Sequence, residues 1–174
     1  MNEENHIMLD LETLGKRPGC VVVSIGAVRF GPSGVGSEEF YSVLDRDAQQ
    51  HRGLHIDPDT EEWWARQSDE ARAVFNEPQL QVEQVLHAFN NFIGPSAHIW
   101  GNGANFDEPI LTEVFRVFEI NQRWAFWRAR CHRTLVKLAP EVARPAPTVA
   151  HNALADAKAQ AQHAVDVMRI LKIW

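Results

Sequence analysis

Long apolar runs are missing from this sequence. None reaches the roughly 18 residues of a membrane span, and the acidic start "MNEEN" has neither the basic flank nor the apolar stretch of a signal peptide. No membrane association and a cytoplasmic location are therefore expected. Cysteine is scarce: Cys20 and Cys131 stand without CxxC or zinc-like spacing. That argues against a disulfide scaffold or a thiolate metal site, and for buried thiols in a reducing compartment. Positive charge is in deficit, with a formal net charge of −6 at pH 7. Broad duplex binding, which depends on many phosphate contacts, is disfavoured by that balance; a small local site is not.

The deficit of cations has one local exception. Between Asn121 and Pro140 lie Arg123, Arg128, Arg130, Arg133 and Lys137 with no acidic residue among them, interleaved with Trp124, Phe126 and Trp127. A solvated face has this composition, and so does a surface for single-stranded nucleic acid.

The 174 residues, 45% hydrophobic and 23% charged, suit one globular domain spanning 1–174. "NHIMLDLETLG", "CVVVSIGAVRF" and "EEFYSVL" read as three strands of a meander, with "GPSGVG" as the turn between the last two. In "DPDTEEWWARQ", Asp59 or Thr60 can cap a helix. A second helix is expected over Gln79–Ile93, where apolar residues recur at helical spacing. "HIWGNG" is a short strand running into "NFDEPILTEVFRVFEI", where Pro109 suits the first turn of a helix. "RTLVKLA" and the alanine-rich "HNALADAKAQAQHAVDVMRILKIW" complete the helices. Strands first, then alternation, predict an α/β fold with a mixed sheet covered by helices.

Two carboxylates interrupt the first strand. Asp10 and Glu12 are two residues apart, so they project from one face while Leu9 and Leu11 face the other way. Crowded like charges on a half-buried strand call for positive compensation, from a divalent cation or from arginine, unless the strand lies at an edge with this face in water. Asp107 follows the glycine-rich turn of "GNGANFDEP", where it can serve a site or merely cap a helix. In "HNALADA", His151 and Asp156 converge only if His151 lies in the loop and Asp156 in the first helical turn, with Asn152 as the cap. Together these are hard oxygen donors and one histidine. They favour Mg²⁺ or Mn²⁺, two such ions about 3.5–4 Å apart serving phosphodiester hydrolysis, with the histidine as general base.

"DLE", "NxxFD" and "HxxxxD", in that order from Asp10 to Asp156, resemble the three motifs of the DEDDh 3′-to-5′ exonucleases. "TEEWWARQ" and "FWRARCHRTL" look most like the exodeoxyribonuclease VIII-like branch with the mycobacterial adenylate-specific exoribonuclease, although Cys131 stands where relatives often carry an acidic residue. The resemblance implies a ribonuclease H-like fold: a mixed five-stranded sheet, antiparallel meander plus parallel strands, flanked by helices. It also implies two divalent cations held by Asp10, Glu12, Asp107 and Asp156, with His151 activating water. The substrate would be single-stranded RNA or DNA, trimmed from the 3′ end to nucleoside 5′-monophosphates. Thr13 and Leu14 match positions that contact the terminal nucleotide, through backbone and an apolar wedge; Asn102 and Asn105 read equally as second-layer or substrate contacts and as turn-forming residues. Relatives often form homodimers. Trp63 and Trp64 diverge by about 100° on a helix, so one can stack on a base while the other packs inside, and Phe106 reads equally as core or base wedge. The remaining histidines match no motif and read as surface or structural. Two other readings stay open: a metal-dependent phosphatase on small phosphoesters, and a catalytically silent nucleic-acid or partner-binding member.

Overall fold

The computed structural model describes residues 5–174; the acidic start that bears on the signal-peptide reading lies mostly outside them. Strand β1 (His6–Thr13) alternates two surfaces, each against its own apolar layer. Ile7, Leu9 and Leu11 enter a large core with α4 (Val82–Ile93) and α5 (Asp107–Val117), among them Leu86, Phe89, Leu111 and Phe115. Met8 turns the other way, into a smaller core with Val28, Trp100 and the small residues of α7 (Ala153–Ile170). The same alternation carries Asp10 and Glu12 to the α7 side.

β1 pairs antiparallel with β2 (Val22–Gly31), and β2 with β3 (Gly34–Val43). Its other edge pairs in parallel with β4 (His98–Gly101), which pairs in parallel with β5 (Ala129–Cys131), giving the order β3-β2-β1-β4-β5. The expected mixed five-stranded sheet is present. Its fifth strand is a three-residue edge inside the basic segment, too short to show any alternation. Parallel pairing of β1 stops at Met8 against Trp100. Beyond that point β1 outruns β4, and an open crevice of this kind at strand ends is where α/β sheets receive ligands.

Element boundaries differ from expectation where local partners intervene. The turn over "GPSGVG" tightens to Pro32–Ser33 because Gly31 already pairs with Gly34, which adopts φ 124° without steric cost. α2 (Pro58–Ala65) has Asp57 at its N-cap position, without a side-chain capping bond, in place of Asp59 or Thr60, since Pro58 lacks an N–H and suits the first helical position. α4 starts at Val82 and not Gln79, whose side-chain oxygen instead accepts from the Arg46 amide at 2.9 Å. The short helices α1 (Arg46–His51) and α3 (Asp69–Arg72) connect these parts, and α6 (His132–Leu138) follows β5. No helix among the described residues is long and apolar enough to cross a membrane.

α7 packs close to the sheet because the residues it presents are small: Ala157, Ala161 and Ala164 are fully buried. The approach is tightest at its first turn. A Cβ on Gly26, which pairs with Asp10, would overlap the backbone of Ala153 and Leu154. Glycine at that one position lets helix backbone rest on the strand, and the following residues of α7 are delivered over β1.

Candidate active site

α7 starts as the sequence indicates. Asn152 is its N-cap, with Oδ1 accepting from the Ala155 amide at 3.0 Å. His151 stands just before the cap at φ 59°, a left-handed conformation uncommon outside glycine and asparagine. Asp156, one turn in, meets Asp10 and Glu12: one oxygen from each carboxylate lies within 4.8 Å of the others. Gln160 follows a turn later on the same face and donates from Nε2 to Asp10 Oδ1 at 2.8 Å. Its buried Oε1 has no hydrogen-bond partner among the described residues. A cleft of about 680 Å³ opens over this group, lined also by Thr13, Trp63, Asn102, Phe106 and His151.

Asp107 sits below the cleft and apart from that trio. It is the first residue of α5 and only 1% exposed. Its Oδ1 accepts from the Leu11 amide at 3.3 Å, on the stretch of β1 that has outrun β4, and its Oδ2 accepts from the Asn102 amide at 2.7 Å. A Cβ on Gly101 would come within 2.8 Å of that Oδ2, so glycine makes room for the carboxylate. Asp107 therefore ties the loop after β4 to β1.

Gathering four carboxylates raises their proton affinity. Lost hydration is the largest effect on Asp10, followed by the charges of Asp107 and Glu12; the bond from Gln160 opposes them, and the carboxyl ends well above its ordinary range. Glu12 is pushed up to about 8 by burial and then by the charges of Asp156 and Asp107. Burial lifts Asp107 to about 6 against the pull of its backbone bonds, and burial also lifts Asp156, opposed by the charge and amide of His151. No lysine or arginine forms an ion pair with Asp10, Glu12 or Asp156 among the described residues. An oxygen-only, uncompensated donor set with an orphaned amide oxygen beside it fits a hard divalent cation such as Mg²⁺ or Mn²⁺.

The wall of the cleft is aromatic. Trp64 turns inward, 3% exposed, and donates from Nε1 to the Thr13 carbonyl at 2.9 Å. Trp63 turns outward, 37% exposed, its ring edge-on to His151 with centroids 4.9 Å apart. Two of the expected residues fall outside the lining of this cleft. Leu14, just past the slip in the β1–β2 ladder at Glu12/Thr13, packs in the large core and borders a neighbouring depression. Asn105 also lies outside it, beside Arg133 and Lys137 in a shallower depression. Gln160, Lys16 and Arg66 join the cleft without a prior signal; a glutamine on an alanine-rich helix and two surface cations carry none. His132 and His163 are structural as expected, buried and bonded Nε2 to Nδ1 at 3.0 Å. Burial and the neighbouring His163 push His132 down to about 4, leaving it neutral.

Known proteins share this fold. The nuclease domain of 3′hExo, a DEDDh family member bound to rAMP, superimposes with a TM-score of 0.64 at 10% identity, covering 97% of this chain and 94% of that one. E. coli Exonuclease I, in complex with a dT13 oligonucleotide, gives a TM-score of 0.66 at 18% identity, covering 97% of this chain and 41% of that one. At these identities the likeness is one of fold, the mixed sheet of the ribonuclease H-like exonucleases. An exodeoxyribonuclease of Enterobacteria phage T4 is 27% identical over 124 residues, which is 63% of this chain and 55% of that protein. The chain thus matches little more than half the length of this curated relative. Residues 5–168 match the model of the 3′-5′ exoribonuclease Rv2179c-like domain, and the chain belongs to that DEDDh-type exonuclease family.

Proposed function

We propose that this protein is a divalent-metal-dependent exonuclease that shortens single-stranded RNA or DNA from the 3′ end and releases nucleoside 5′-monophosphates. The observation that carries this reading is the meeting of Asp10, Glu12 and Asp156 within 4.8 Å, in a cleft also lined by His151. Asp10, Glu12 and Asp156 would hold a divalent cation, and Asp107 beneath them would add negative charge for a second. Bound there, the cations supply positive charge at the attacking and leaving oxygens of the phosphodiester.

The chain's own groups do the rest. The imidazole of His151 takes the proton of the attacking water as general base. Trp63, held against that imidazole, offers its ring to the terminal base. Lys16 and Arg66 at the rim bring charge to the phosphates, and the Thr13 backbone, fixed by Trp64, forms the seat of the terminal nucleotide. Gln160 holds Asp10 in the orientation the cation needs.

The test is the product pattern from 5′-labelled RNA and DNA oligonucleotides of matched sequence with Mg²⁺ or Mn²⁺. A ladder of stepwise 3′ shortening is expected, lost on chelation and in Asp10→Asn, whose folding should be unimpaired. Wild-type protein that hydrolyses nitrophenyl phosphate and leaves both oligonucleotides intact would overturn this reading.

A further inference from the structure

Exposed aromatic surface concentrates outside the cleft. Phe126 and Trp127 are 76% and 67% exposed, in a tight 3₁₀ turn (Phe126–Arg128) that leads into β5, with ring centroids 5.1 Å apart. Large rings left in water favour an occupant that covers them. Arg130 projects from the same edge strand and donates to the Trp127 and Ala129 carbonyls, each at 2.9 Å. Arg133 and Lys137 of α6 then line a depression of about 570 Å³ together with Phe106. Phe106 lines the carboxylate cleft as well, so depression and cleft share a wall, and the charge of Arg133 is felt at Asp107. Among the described residues no carboxylate pairs with Arg130, Arg133 or Lys137. These cations stand without a close ion pair in a chain of net charge −6.

We propose that this edge is the track for the single strand upstream of its 3′ end, with phosphates on Lys137, Arg133 and Arg130 and a base stacked on Trp127 and Phe126. The proposal rests on the exonuclease reading of the cleft. Cations next to exposed rings are the two elements that hold single-stranded nucleic acid without sequence preference, and the shared Phe106 wall makes the track continuous with the cleft. A second copy of the chain is the poorer occupant. A two-fold contact through this edge would set its cations against the same cations, a repulsive arrangement.

Hydrolysis of a dinucleotide, which fills the cleft alone, is compared with that of an oligonucleotide of about 12 nucleotides, long enough for the track. Wild-type protein is set beside Trp127→Ala, Arg130→Ala and the double variant. The double variant should raise KM for the longer substrate roughly tenfold or more, as expected for one lost stacking contact and one lost phosphate contact, and leave dinucleotide kinetics unchanged. In anisotropy titrations, Arg130→Ala should reduce the slope of log affinity against log salt by about 0.7. Unchanged KM and salt slope would overturn the track, and so would a wild-type dimer that these substitutions convert to monomer in light scattering. If wild-type protein cleaves neither substrate, the exonuclease reading fails, and the anisotropy titrations alone decide the track.

Discussion

His151 combines an unusual backbone with a half-buried imidazole at the cleft. At φ 59° most side chains are strained, whereas asparagine tolerates the left-handed region. His151→Asn therefore removes the imidazole and keeps the backbone geometry. Its kcat on a dinucleotide should fall by about 10²–10⁴ with KM little changed; a large rise in KM alone would mark His151 as a binding group and not the base. At this scale the sequence was readable where local periodicity sets direction. The two-residue spacing of Asp10 and Glu12 and the Asn152 cap both carry directional information, and both stand as read. The packing of Leu14 in the large core was not legible, because it follows a slip in strand register that leaves no trace in composition. Gln160 was missed because its partner, Asp10, lies 150 positions away.

Among the elements, α7 depends on one glycine of β2. Gly26 reads as a weak point in "VVSIGAVRF", yet it is where helix backbone rests on the sheet. Gly26→Ala should lift the first turn of α7, cost about 1–3 kcal/mol of stability by overpacking, and lower hydrolysis by displacing Asp156. Gly31→Ala, which has open space around the added methyl, is the control and should change neither; thermal melting and dinucleotide turnover check both. A Gly26→Ala protein with normal melting and turnover would show that this close approach does not set the position of Asp156. Most helices and the first strands were legible from their apolar stripes. β5 was not, because three residues at an edge, held by pairing with β4, have no pattern of their own.

For the whole molecule, crowding the acids makes stability depend on pH. Glu12 titrates at about 8 in the fold, against roughly 4.3 for an unfolded glutamate. A raised folded value means that its contribution to stability is complete below the unfolded value and is lost as pH rises through about 8. Without metal, the protein should therefore lose melting temperature across that window. A bound divalent cation needs the ionised carboxylates and offsets the loss. The stabilisation by saturating Mn²⁺ should grow with pH and reach about 5–10 °C in scanning fluorimetry. A shift that is flat across the window would exclude Glu12 from the cation site.

The contact from Gln160 to Asp10 spans 150 positions, and closing so long a loop is entropically costly until α7 has a sheet to dock on. The site is therefore completed late in folding. A chain still being synthesised carries Asp10 and Glu12 without Asp156 or His151, so the proposed site stays incomplete until α7 has been made and seated. If the proposed activity on nucleic acid holds, the distance of α7 from β1 along the chain acts as a timer, since the protein is itself made on an RNA-rich machine.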